Sequence, residues 1–233
     1  MARETSPGQP RVAMISGANR GIGKAIAERL AEDGWRLSLG VRAAQSNSSH
    51  LEHRYEARDA ESERHWVDAT IDRFGRIDAV IANAGILSTK SVIDADDTEI
   101  DAVLDINVKS PQRLIRAAWP HLAAAGRGRV VIISSLSGKR VKAAGTGLYA
   151  VSKHAALALA HAARHAGWDK GIRATAICPG PVDTDMIRKL GNLPKEQMTN
   201  PADIAALVAL FLDLPNTAAV SEFPVNAVLE GAY

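Results

Sequence analysis

The octet Ser16-Gly17-Ala18-Asn19-Arg20-Gly21-Ile22-Gly23 constrains this chain more than any other segment. An apolar run of strand length, Val12–Ser16, leads into it, and a stretch of helical periodicity over residues 22–33 leads out and stops at Gly34. Gly17, Gly21 and Gly23 let the backbone turn sharply and come close to a bound group. The helix that follows offers its unpaired N–H groups and positive dipole end to an anion. The spacing G-x-x-x-G-x-G differs from the commoner G-x-G-x-x-G fingerprint but serves the same geometry, a pyrophosphate seated on a helix N-terminus at the carboxyl edge of a sheet. Asn19, Arg20 and Ile22 share that turn. The expectation is a dinucleotide site.

The same alternation continues along the chain. Strands are expected at Arg36–Val41, weakly at 54–58, then at Ala79–Ala82, 130–134, 173–178 and Glu222–Val225; helices are expected over Ser62–Phe74, 98–124, 148–166 and 202–213. That pattern specifies a parallel sheet wrapped by helices on both faces. Residues 43–53 are too short and polar for more than a stunted helix, and Pro111 is expected to bend or break the long helical stretch. Residues 179–199 read as a loop with at most a short helix, after which Asn200-Pro201 supplies an N-cap and a proline for the next helix. Without a linker or repeat, residues 11–233 read as one doubly wound Rossmann-fold domain with a mostly parallel seven-stranded sheet. Residues 1–10, polar and with two prolines, read as a flexible tail rather than a signal peptide.

Composition removes several partner classes. With 28 basic and 26 acidic residues spread along the chain, no basic block suggests nucleic acid. The longest strongly apolar run, residues 205–212, is far short of a membrane span. A lone cysteine, Cys178, excludes an internal disulfide framework and a cysteine-rich zinc site, and fits a reduced cytoplasmic setting. It precedes a proline at a strand end and reads as a buried packing thiol. His161 and His165 share a helix face with metal-like spacing but lack neighbouring ligands, so no metal is expected. Asp94, Asp96, Asp97 and Asp101 read as a solvated helix start.

The chemistry points to a second cluster. Tyr149-Ala150-Val151-Ser152-Lys153 opens an alanine-rich helix and puts Tyr149 and Lys153 one turn apart on one face. A tyrosine with its ordinary pKa of about 10 is a poor proton shuttle near neutrality. A nearby lysine cation favours phenolate and lowers that value. Ser134 and Ser135 end the fifth strand at the carboxyl edge, where a hydroxyl can donate to a carbonyl oxygen as charge develops on it.

Taken together, these residues resemble the short-chain dehydrogenase/reductase family, in its main subfamily of NADP-dependent type. The resemblance spans nearly the whole chain. It rests on Gly17, Gly21 and Gly23, on Ala82-Asn83-Ala84-Gly85, on Asn107 within Ile106-Asn107-Val108-Lys109, on Ser135 with Tyr149 and Lys153, and on Pro179-Gly180-Pro181-Val182-Asp183-Thr184. It implies that Tyr149 is the general acid in reduction and the base in oxidation. Lys153 would lower its pKa and hold the nicotinamide ribose, Ser135 would orient the carbonyl, and Asn107 would support a water relay to Lys153. Asn83, Ala84 and Gly85 would line the cofactor. Pro179, Gly180, Val182 and Thr184 would border the nicotinamide, and Asp59 with Ala60 would meet the adenine. Tyr149 stands fourteen positions after Ser135, one more than is usual in the family, so Ser137 stays open as the alternative serine.

Cofactor choice follows from charge. The second strand ends Gly40-Val41-Arg42 with no acid until Glu52, and Arg20 sits inside the glycine turn. An acid at that strand end would grip a ribose 2′-hydroxyl, whereas arginine accommodates a 2′-phosphate, so NADPH is expected over NADH. The substrate is expected to be a small carbonyl or alcohol, beneath an apolar lid formed by Met186, Ile187, Leu190 and Leu193. The alanine-rich helix and family habit imply a homodimer or homotetramer. Two other readings compete: a non-catalytic dinucleotide-binding sensor on the same fold, and sugar-nucleotide epimerase or dehydratase chemistry, whose larger C-terminal substrate region this sequence lacks.

Overall fold

Every residue of Val12–Ser16, Ala79–Ala82 and Arg129–Ile133 is buried, which a strand achieves only when both faces of its sheet are covered. The computed structural model describes residues 9–44, 49–191 and 193–229. Within them the strands are β1 (Val12–Ser16), β2 (Arg36–Val41), β3 (Leu51–Arg54), β4 (Ala79–Ala82), β5 (Arg129–Ile133), β6 (Arg173–Pro179) and β7 (Glu222–Val225). They form one seven-stranded sheet in the order β3-β2-β1-β4-β5-β6-β7, and every pairing is parallel. The order reverses between β1 and β4, the crevice where open parallel sheets bind dinucleotides.

The helices are α1 (Gly21–Glu32), α2 (Ser62–Phe74), α3 (Asp97–Leu104), α4 (Ser110–Ala124), α5 (Gly147–Gly167), α6 (Asp185–Arg188) and α7 (Pro201–Asp213). One core lies beneath α1 and α7, where Ile26, Leu30, Ile204 and Val208 meet Ile15 and Leu37. The other gathers Trp66, Leu114, Leu122 and Ala156 against Met14, Val80 and Ile132. Trp66 fills the second core so closely that a Cβ on Gly40 would stand 2.7 Å from its ring. Its Nε1 donates to Ser38 Oγ at 2.8 Å, and Ser38 Oγ lies 2.7 Å from Thr70 Oγ1, so the buried hydroxyls are satisfied. Asn200 caps α7 as expected, accepting from Ala202 N at 2.9 Å.

Two elements differ from the sequence expectation. β3 occupies Leu51–Arg54 rather than 54–58, because its register is set by pairing with β2, from Ser38 opposite Leu51 to Val41 opposite Arg54. Tyr55 and Ala57 then alternate into the core without being strand. The stunted helix at 43–53 is replaced at its end by this strand, and residues 45–48 lie outside the described residues, as do 1–8 of the expected tail. The long helical stretch is interrupted just ahead of Pro111, as expected of a proline there. A π turn, Asp105–Lys109, precedes α4, and Ser110 N donates to Asp105 O five residues back. Pro111 has no N–H for the Asn107 carbonyl, so the widened turn sits where the ordinary bond is impossible. Among the described residues, no helix is long and apolar enough to cross a membrane.

Candidate active site

The glycine turn is shaped by close approach. Gly17 and Gly21 have φ of +68° and +54°, a backbone region that side chains disfavour. A Cβ on Gly23 would stand 2.3 Å from Gly17 O, so α1 can begin against the turn only with glycine there. Ser16 ties this turn to the end of β4: its Oγ accepts from the N–H groups of Asn83 and Ala84, both at 3.0 Å. Asn83 returns the contact, its Nδ2 donating to Ser16 O at 2.9 Å and Gly17 O at 3.2 Å. Arg20, the N-cap of α1, is extended and gives no side-chain cap, so nothing from its side chain competes for the first N–H groups of α1. An uncapped helix start behind a cradle that a Cβ would fill fits the pyrophosphate of a dinucleotide.

The second cluster assembles at the ends of β5 and β6. Ser134 is buried and donates to Lys153 O at 2.9 Å, which commits it to structure. Ser135 lies near enough to the Tyr149 hydroxyl to favour its phenolate, accepts from Ser137 N at 3.0 Å, and lies 3.4 Å from Pro179 O. Of the neighbouring serines, Ser135 is therefore the one brought to Tyr149. The extra residue between Ser135 and Tyr149 falls in a loop whose Gly138 packs on α5, where a Cβ would lie 2.6 Å from Lys153 O.

Lys153 Nζ donates to Ile133 O at 2.9 Å and lies 5.7 Å from the Tyr149 ring centroid. Asn107 is buried in the π turn. Its Nδ2 donates to Ile86 O at 2.9 Å and Ser152 Oγ at 3.0 Å, while its Oδ1 accepts from Ile86 N at 2.9 Å. A Cβ on Gly85 would meet both Asn107 Oδ1, at 3.2 Å, and Lys153 Nζ, at 3.6 Å, so the three positions converge.

Burial governs the electrostatics. It pushes the Tyr149 phenol up to about 12, opposed by the nearby Ser135 hydroxyl, and pulls the Lys153 ammonium down to about 8. The helical spacing alone suggested a depressed tyrosine. In the fold, burial is the larger influence on this group and raises its pKa, so the phenol is held protonated through the neutral range. Cys178 is fully buried, and its thiol is pushed up to about 11, chiefly by burial.

The remaining sequence candidates fall in two groups. Thr184 reaches the glycine turn, since a Cβ on Gly21 would stand 3.1 Å from its Cγ2. Pro179 ends β6, Gly180 N donates to Val225 O at 2.7 Å, and Val182 bridges to Thr199, which fixes the loop over the same edge. Arg20, Asn19 and Arg42 are exposed at that edge. Asp59 and Ala60, expected to meet the adenine, are both exposed just before α2, where Asp59 Oδ1 accepts from Glu61 N at 3.0 Å. Of the expected lid, Met186 and Ile187 are half-buried, while Leu190 and Leu193 are exposed. His161 does have an acidic neighbour, Glu222, at 3.4 Å. No group of three potential metal ligands forms among the described residues.

Sequence reasoning passed over Ser16 and Ser152. Ser152 accepts from Asn107 and donates to Tyr149 O at 2.7 Å, joining the π turn to α5. A polar residue closing an apolar strand, and one inside the Tyr149–Lys153 turn, were the signals available.

A family model of short chain dehydrogenases matches residues 11–194. The agropine synthesis reductase of Rhizobium rhizogenes is 39% identical over 235 residues, covering 97% of this chain and 54% of that protein. The chain thus spans about half the length of the curated relatives of that name. Among solved structures, the alcohol dehydrogenase of the archaeon Thermococcus sibiricus, complexed with 5-hydroxy-NADP, superposes with a TM-score of 0.85 at 30% identity, covering 94% of this chain and 97% of its own. A short chain dehydrogenase from Burkholderia cenocepacia in complex with NADP gives a TM-score of 0.82 at 28% identity, with coverages of 94% and 97%.

Proposed function

Because the chain belongs to the short-chain dehydrogenase/reductase family of oxidoreductases, we propose that it is an NADP(H)-dependent enzyme interconverting a carbonyl and a secondary alcohol. The observation that carries this reading is the placement of Ser135 at the Tyr149 hydroxyl, with Lys153 beside it, on the sheet edge that also bears the glycine turn. The nicotinamide, when bound, supplies or accepts the hydride. Gly17 to Gly23 and the start of α1 receive the pyrophosphate, and Asn83, Ala84 and Gly85 line its path. Pro179, Gly180, Val182 and Thr184 border the nicotinamide. Ser135 orients the carbonyl oxygen while Tyr149 delivers its proton to that oxygen, and the same tyrosine takes the proton back in oxidation. Lys153 favours the phenolate and holds the ribose, with Asn107 supporting a water relay behind it.

Residues 11–233 act as one domain in this reading, and the buried lone thiol of Cys178 suits a reducing cytoplasm. The two solved relatives described above were captured with NADP or a derivative of it, which supports the cofactor class. The test is a panel of small carbonyls and alcohols followed by nicotinamide absorbance with NADPH, NADH and their oxidised forms. Turnover of at least one carbonyl is expected. A chain that binds cofactor but turns over nothing would favour a sensor instead.

Assembly gives a second expected outcome. The outer face of α5 exposes Val151, His154, Ala158, Ala162 and His165, a stripe narrow enough for a second helix to approach closely. A symmetric homodimer or homotetramer is expected, in line with the preference for closed symmetry. Light scattering that reports a monomer at micromolar concentration would refute it.

A further inference from the structure

Glu63, on α2, is 1% exposed, and Arg113, on α4, meets it with a two-pronged bond: Nε to Oε2 at 2.9 Å and Nη2 to Oε1 at 3.2 Å. A buried carboxylate left alone would be costly, so each partner fixes the other. Arg113 does more than neutralise Glu63. Its Nη2 also donates to Ala57 O at 2.6 Å, holding the segment that follows β3. Tyr55, in the same segment, joins its hydroxyl to Ser110 Oγ at the start of α4 and tilts its ring against Trp66, centroids 5.1 Å apart. The segment after β3 is therefore moored to α4 twice, and α4 continues directly from the π turn that holds Asn107.

The location gives this mooring a use. Tyr55 N donates to Val41 O at 2.8 Å, so the segment runs beside the end of β2, just ahead of Arg42. In an open parallel sheet the dinucleotide lies across the carboxyl edge with its pyrophosphate at the glycine turn. Ser135, Tyr149 and Thr184 take the nicotinamide toward β5 and β6, which leaves the adenosine half to the β2 and β3 side. We propose that Arg113, braced by Glu63, is a positioning residue that sets the segment from Tyr55 to Ala57 as the wall of the adenosine pocket, so that it governs cofactor affinity and not the chemical step. This rests on the dinucleotide reading above.

Titration of the full chain with NADPH, followed by nicotinamide fluorescence, and with adenosine 2′,5′-bisphosphate by calorimetry tests both readings. In Arg113→Met the dissociation constants of both ligands should rise by a similar factor, about tenfold, which corresponds to about 1.4 kcal/mol. KM for NADPH should rise far more than kcat at saturating NADPH falls. Arg113→Lys keeps the charge opposite Glu63 but loses the fork to Glu63 and the extra donor that holds Ala57 O, and should lie between. If Arg113→Met does not fold, Glu63→Leu combined with Arg113→Met removes the buried charge altogether, a change that buried pairs often tolerate. A folded variant of either kind that binds adenosine 2′,5′-bisphosphate as the parent does overturns the positioning role and leaves the dinucleotide reading standing. A parent chain that binds neither ligand overturns both.

Discussion

Tyr149→Phe is expected to cut turnover by about 10² to 10⁴, the range that a positioned acid–base group contributes, while NADPH still binds. The ring survives the substitution, so the packing of the first turn of α5 is kept, and only the hydroxyl that meets Ser135 is lost. The environment explains why this hydroxyl matters. Burial pushes the phenol up to about 12, so the acid is loaded with its proton throughout the neutral range, as reduction of a carbonyl requires. Oxidation asks the same group to give that proton up, and the neighbouring ammonium of Lys153 is the positive charge placed to favour it. Steady-state kcat and NADPH fluorescence, measured on the same preparation, separate the two properties. If the variant turns over at close to the parental rate, another group carries the proton and the mechanism is wrong.

Preference for NADPH over NADH is the second large effect. Arg20 and Arg42 stand exposed at the carboxyl edge, one at the start of α1 and one directly after β2, and neither forms an ion pair among the described residues. Two guanidiniums at one phosphate can make forked, charge-assisted contacts. Each hydrogen bond of that kind contributes roughly 1.5–3 kcal/mol, and about 1.4 kcal/mol is tenfold in affinity. NADPH should therefore exceed NADH in kcat/KM by at least about tenfold. Arg20→Ala and Arg42→Ala should each erode the ratio, and the pair together should remove most of it. Equal or better use of NADH by the parent enzyme would sink the assignment. A preference that survives both substitutions would keep NADPH and exclude these arginines as its cause.

Where the sequence was legible, the signal was local. The apolar run of β1, the glycines after it and the periodicity of α1 lie within a short stretch, and each residue's role follows from backbone geometry. The same holds for Asn200-Pro201 at the head of α7 and for Tyr149 and Lys153 one turn apart on α5. β3 was misplaced because it is a polar edge strand whose position depends on its partner, and the buried Tyr55 and Ala57 beyond it imitate strand alternation. Asp59 was legible only through the family resemblance; in the fold it is exposed just before α2 and accepts from Glu61 N.

By itself, then, the amino-acid sequence determined the order of elements, the glycine turn and the one-turn spacing of Tyr149 and Lys153, because these depend on neighbours along the chain. Tertiary structure decided the rest. It set Ser135 near the Tyr149 hydroxyl and turned Ser134 to Lys153 O, and it placed Ser16 and Ser152 as the links between elements. It reversed the expected direction of the Tyr149 shift, and it joined Glu63 to Arg113 across 50 residues of chain. Burial and long-range hydrogen bonding have no signature in local sequence, since both are properties of what the fold brings alongside a residue and not of the residue's own neighbours in the chain.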